Sequence, residues 1–258
     1  MNGNSPLGKM AALRAILLAV SLALPVAAMG QSTAADYYNR AHAKKAKGDL
    51  DGALADYTRA LELDPKLADA CNNRGCVKQA KGDLDGALAD YTRALELDPK
   101  LAIACNNCGV ANFIRRNWKA ALGDFNRRCE LAERDQDYPR LFIWLIRAWI
   151  GETDAANKEL AAYLDKRWNA APGDWISKVA GHLLGKVPEA ELFAAAKSPD
   201  EKKERGRLCE AWFYAGMKKL LGADKSAAAD YFKKCLATEE KGCVEYEVAQ
   251  AELKALGQ

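Results

Sequence analysis

Residues 46–68 read AKGDLDGALADYTRALELDPKLA, and the same 23 residues recur at 80–102, displaced by 34 positions. Chance does not produce a self-match of that length. A unit of this size cannot bury an apolar face alone, so its copies must stack and share a core. Within each copy, Gly48-Asp49 and Gly82-Asp83 pair a residue that tolerates left-handed backbone angles with one that caps the next helix. Pro65 and Pro99 follow an aspartate and stop the second helix, because proline lacks the amide hydrogen needed to continue it. Each unit therefore reads as two helices joined by a turn.

The spacing Ala53-x3-Tyr57 followed by Pro65, then Gly75, Ala87-x3-Tyr91 and Pro99, resembles the tetratricopeptide repeat. Gly109 and Ala121-x3-Phe125 keep the register in a third unit, although Arg128 and Glu133 stand where alanine and proline are expected. Ala41, Gly75 and Gly109 are small so that the two helices of a unit approach closely, with Tyr57, Tyr91 and Phe125 filling the space between. Further on, 136–168 reads as a divergent helical pair, 169–174 as a turn, 175–184 as a short amphipathic helix and 199–207 as a hydrated linker. Trp212-x2-Ala215-Gly216 and Ala228-x3-Phe232 then restore the repeat pattern over about 209–242. The segment 244–256 reads as a terminal helix that covers the open end of the array. The expected fold is thus all-α, an α-solenoid of helix-turn-helix units with a divergent middle and a C-terminal capping helix. Its divisions are 1–30, 31–135, 136–198 and 199–258.

The first of these has the layout of a secretory signal peptide: Lys9 and Arg14 without acids, an apolar run from Ala15 to Leu24, then Pro25 and small residues up to Gly30. An uncleaved anchor is the alternative, but Ser21 and Pro25 interrupt the run below the roughly 20 apolar residues of a spanning helix. The formal charge of +3 falls to +1 once the two leader cations are subtracted. A near-neutral chain without basic stripes gives no electrostatic footprint for nucleic acid, and membrane contact is expected only through the leader. Periplasmic or secreted placement follows from the leader.

The order of leader, three repeats, divergent middle and closing unit resembles bacterial tetratricopeptide proteins of the NlpI-like lipoprotein group. That resemblance implies an envelope adaptor that holds proteases and cell-wall hydrolases. No cysteine precedes Cys71, so the lipid attachment of that group does not carry over.

Eight cysteines behind an export signal invite disulfides. Cys209 with Cys235, at opposite ends of two antiparallel helices, is the first candidate pair, and Cys105 with Cys129 the second. Cys105-x2-Cys108 has the spacing of thiol oxidoreductases but lies inside a helical pattern without a preceding strand or a second Cys/His pair. With two histidines and no nucleophile elbow, zincin or phosphate-loop motif, neither a catalytic centre, nor a metal site, nor a cofactor is expected. The expected activity is binding of proteins or peptides on the concave face built by the first helix of each unit. The register points Tyr38, His42 and Lys45, then Asn72, Cys76 and Gln79, then Asn106, Val110 and Phe113 inward, with packing of Val110 and Phe113 against the middle segment as the alternative. Tyr38 and Ile103 stand where the carboxylate-clamp variety of this repeat places basic residues, which disfavours recognition of that type. A thiol redox factor and an array that self-associates through its end faces are the competing readings.

Overall fold

A computed structural model describes residues 32–132, 134–167 and 174–258. The leader assignment and most of the 169–174 turn fall outside the described residues. Thirteen helices and no strand occur among the described residues. They are α1 (Ala34–Ala46), α2 (Leu50–Leu63), α3 (Ala68–Ala80), α4 (Leu84–Leu97), α5 (Ala102–Ile114), α6 (Trp118–Leu131), α7 (Asp137–Trp149), α8 (Thr153–Lys166), α9 (Trp175–Leu183), α10 (Glu189–Ala196), α11 (Glu201–Leu221), α12 (Lys225–Leu236) and α13 (Val244–Ala255).

Local chemistry sets the helix boundaries. Thr33 and Asp36 form a reciprocal capping box at the start of α1, with the Asp36 amide donating to Thr33 Oγ1 at 3.2 Å and the Thr33 amide to Asp36 Oδ2 at 2.8 Å. Asp49 and Asp83 each accept from the amide three residues on, at 2.9 Å, which caps α2 and α4. Both α2 and α4 stop two residues before their prolines. The turn inside each unit needs a left-handed residue, supplied by Gly48 (φ +80°) and Gly82 (φ +84°). At the matching place the third unit uses Arg116 (φ +58°) and the last Ala223 (φ +64°), so those two turns carry strain that glycine would avoid.

Packing within a unit depends on a small residue facing a ring. A Cβ added at Gly75 would lie 2.6 Å from Tyr91 Cε1, and one added at Gly216 would lie 2.8 Å from Phe232 Cε1. The two helices of each of the first two units are also tied by charge. Asp56 on α2 is buried and accepts from Arg40 at 2.7 and 2.5 Å and from Lys44 at 2.8 Å, and Asp90 receives Arg74 and Lys78 in the same way. These contacts, led by the Arg40 guanidinium, hold the Asp56 carboxyl down at about 2.

One expectation needs correction. Residues 199–207 are not a linker, because α11 begins at Glu201. Asp200 caps it by accepting from the Lys203 amide at 3.1 Å, Glu201 and Glu204 favour its positive N-terminal end, and no proline intervenes before Gly222. Within the 136–198 segment, expected to be a divergent helical region, α10 forms behind Pro188 as a helix beyond the one expected at 175–184.

The array does not extend as an open spiral. Phe142 of α7 stacks on Phe125 (5.3 Å between centroids), meets Phe113 edge-on (5.2 Å) and contacts Phe213 of α11 (6.0 Å). One continuous core therefore runs from the third unit to the last helix, whereas a separate cluster includes Ala41, Tyr57 and Val77, and a third joins Ala87 and Tyr91 to Cys108 and Ala111.

Candidate functional site

The inner face is built by α1, α3 and α5, which approach one another directly. At its N-terminal end His42 is exposed and Lys45 half-buried. Tyr38 beside them is half-buried, with its ring edge-on to Tyr57 at 5.8 Å and its hydroxyl accepting from Asn73 Nδ2 at 2.9 Å. These three side chains place one cation, one imidazole and one aromatic ring on α1.

The next positions differ from the expectation. Asn72 is buried, and its Oδ1 accepts from Asn107 Nδ2 at 2.9 Å. Its amide therefore ties α3 to α5 and is not free for a peptide backbone. Asn107 Nδ2 also lies 3.4 Å from Cys76 Sγ. Gln79 is engaged on both sides, donating to Glu247 Oε2 of α13 at 3.0 Å and accepting from the Tyr91 hydroxyl at 3.1 Å.

Val110 and Phe113 are not groove residues. Both are buried in the shared core, where Phe113 packs edge-on to Trp118 and Phe142 at 5.2 Å each. Trp118 of α6 and Phe142 of α7 cover Phe113, and α13 packs on α11 and α12 and also against α5. Arg116 Nη2 reaches the buried carboxylate of Glu252 on α13 at 2.6 Å, which fixes the same contact at the other end of the helix. Asn106 is half-buried on the remaining strip.

The residues that join the inner helices, Asn73 and Asn107, lie one position beyond those chosen from the register. Their signal was present: the doublets Asn72-Asn73 and Asn106-Asn107 repeat at the same interval of 34 as the rest of the unit.

The cysteines divide into two groups. Cys105 and Cys108 are buried in α5, and burial pushes both thiols up, Cys108 to about 12. A nucleophilic redox cysteine requires the opposite shift and access to solvent. Cys129 is buried and free, as is Cys105. The Cys209 and Cys235 sulfurs, in contrast, lie 3.3 Å apart in the core.

Two family models for the tetratricopeptide repeat match the chain, one over residues 41–82 and one over 68–101. The solved structures extend the likeness in fold to most of the chain. A tetratricopeptide repeat protein from Parabacteroides merdae is 21% identical, covers 97% of this chain and 93% of its own, and superposes with a TM-score of 0.54. PilW, described as a type IV pilus biogenesis factor, is 18% identical over 87% of this chain and 98% of its own, with a TM-score of 0.51. YrrB, described as having an unusual peptide-binding site, is 20% identical over 89% of this chain and 94% of its own, with a TM-score of 0.50. Comparison with curated proteins gave no match. The fold is that of an all-α tetratricopeptide-type solenoid, and no described helix is long and apolar enough to cross a membrane.

Proposed function

We propose that this tetratricopeptide-repeat chain is an exported, non-catalytic scaffold that binds a protein segment on the inner face of its first two repeats. Tetratricopeptide folds are typical of protein-interaction scaffolds, and YrrB is described as having a peptide-binding site. The export part rests on the leader layout of residues 1–30, and an envelope role on the overall layout of the chain.

The observation that carries the proposal is the unequal state of the inner face. Gln79 is held by Glu247 of α13, which also packs on α5, whereas among the described residues His42 is exposed and Tyr38 and Lys45 are half-buried. A segment bound there would meet a cation and an imidazole for its acidic or carbonyl groups and the Tyr38 ring for one apolar side chain.

A photo-cross-linking residue placed at His42 tests this against the same residue at Arg59, which is exposed on the outer helix α2. Adducts with an envelope protein are expected at position 42 and not at position 59. Equal labelling at both positions, or none at either, removes the groove assignment.

A further inference from the structure

Asp56, Asp90 and Asp124 recur at the interval of 34, one on the second helix of each of the first three units. The first two are held alike. Arg40 Nε and Nη2 donate to Asp56 Oδ2 and Oδ1 at 2.7 and 2.5 Å, and Arg74 forks onto Asp90 in the same way at 2.8 and 2.7 Å. Lys44 and Lys78 each add an ammonium on Oδ2 at 2.8 Å. Beneath these cations both carboxylates are only 4% exposed.

The third unit keeps the carboxylate and lacks both cations. Cys108 stands at the arginine position and Asn112 at the lysine position. Asn112 Nδ2 donates to Asp124 Oδ2 at 2.8 Å, so its amide takes the seat of the lysine on the same oxygen. The arginine seat is vacant: among the described residues Oδ1 has no hydrogen-bond partner, and Asp124 is half-buried where its counterparts are covered. Arg127, three residues on, does not fill it. That side chain donates to the Pro99 carbonyl at 3.0 Å, and its counterparts Arg59 and Arg93 pair with Glu62 and Glu96 while the carboxylates take Arg40 and Arg74. Burial accordingly raises the Asp124 carboxyl, whereas the arginine fork holds Asp56 down.

We propose that the third unit takes in trans the cation that the first two supply in cis: Asp124, with Asn112 beside it, receives the guanidinium of an arginine carried by a partner protein. A guanidinium fits better than an ammonium, because the oxygen an ammonium takes in the first two units is already held by Asn112. A planar fork reaches Oδ1 and shares Oδ2, as Arg40 does beside Lys44. One such pair at a half-exposed position is weak on its own, so the arginine belongs to a chain that is also held elsewhere. The site lies between α5 and α6 and stands independently of the reading of Tyr38, His42 and Lys45 on α1.

The test uses the folded full chain, labelled with carbon-13 and nitrogen-15, and three probes, acetyl-Gly-Gly-Xaa-Gly-Gly-amide with arginine, lysine or citrulline as Xaa. Nuclear magnetic resonance follows the Asp124 carboxyl and the Asn112 side-chain amide. The arginine peptide should move both signals saturably, and the uncharged citrulline peptide should bind at least about tenfold more weakly. The lysine peptide should fall between them. Asp124→Asn should remove the response of Asn112, and Cys108→Arg with Asn112→Lys, which rebuilds the internal fork, should remove that of Asp124. The amide spectrum of each variant verifies that it folds, and Asp124→Asn carries the test if the double variant does not. The proposal is overturned if the arginine peptide leaves Asp124 unmoved, if citrulline or lysine binds as well as arginine, or if Asp124→Asn responds like the wild type. It is overturned too if the wild type forms dimers that Asp124→Asn abolishes, because the occupant would then be a second copy of the chain.

Discussion

The side-chain amide of Gln79 bridges two hydroxyl or carboxylate partners, with Nε2 donating to Glu247 at 3.0 Å and Oε1 accepting from Tyr91 at 3.1 Å. One residue of the second repeat thereby joins the repeat's own core to a helix 168 positions further along the chain. Burial raises the Glu247 carboxyl, and Gln79 partly offsets that cost by hydrogen bonding to it.

Removing the two polar ties between the repeats and α13 should therefore loosen that helix selectively. In Arg116→Ala the Glu252 carboxylate stays buried without its partner, a loss of about 1–2 kcal/mol, below that of a fully buried pair because the guanidinium reaches solvent. Combined with Gln79→Ala, it should speed amide hydrogen exchange across Val244–Ala255 by about tenfold or more, with α1 and α2 unchanged. Uniform acceleration in every helix would show that α13 is not docked as a separable element.

Tyr57 and Tyr91 lie in identical stretches of sequence, yet their hydroxyls have different surroundings. The Tyr91 hydroxyl donates to Gln79, whereas the buried Tyr57 hydroxyl has no partner among the described residues, because Lys45 stands in its unit where Gln79 stands in the next. Tyr91→Phe should then cost about 1 kcal/mol and leave the Gln79 carbonyl without a donor, while Tyr57→Phe should be neutral or stabilising. Urea unfolding midpoints of the two variants measure the difference, and equal losses would refute it.

That pair also shows how far the sequence could be read. Helix pairing, turns and caps were all written locally, in Gly-Asp steps, prolines and the A-x3-Tyr spacing, because each depends on residues a few positions apart. The fate of the inner face was not. It depends on distant contacts such as α13 returning to α5 across more than half of the chain, which no local period encodes, so Val110, Phe113, Asn72 and Gln79 read as groove positions although all four serve the core or its ties. The early start of α11 escaped for a different reason: its first turn is a run of charges that reads as a linker until Asp200 is seen to cap it.

Helix α13 carries a carboxylate in a setting that makes stability depend on pH. Glu245 is buried, accepts from the Tyr214 hydroxyl at 3.0 Å, and faces Glu210, which is itself raised by burial and held by Tyr138 at 3.0 Å and Trp175 at 2.7 Å. Burial first, and then the charge of Glu210, push Glu245 up to about 8. The unfolded value is near 4.3, so the folded state holds its proton more tightly. A raised folded value means the associated stability is fully present below about 4.3, declines as the unfolded chain ionises, and is gone once pH passes about 8. Asp56, held at about 2, has the opposite sign, but its contribution is lost only below about pH 4 and leaves the neutral window unaffected. Glu245→Gln keeps the partner to Tyr214 and cannot ionise. The wild type should therefore lose about 2–3 kcal/mol relative to this variant between pH 5 and pH 8 in urea unfolding, a figure reduced from the full shift because Glu210 shares the titration. Parallel stability profiles for the two proteins would mean that Glu245 is already ionised in the folded chain.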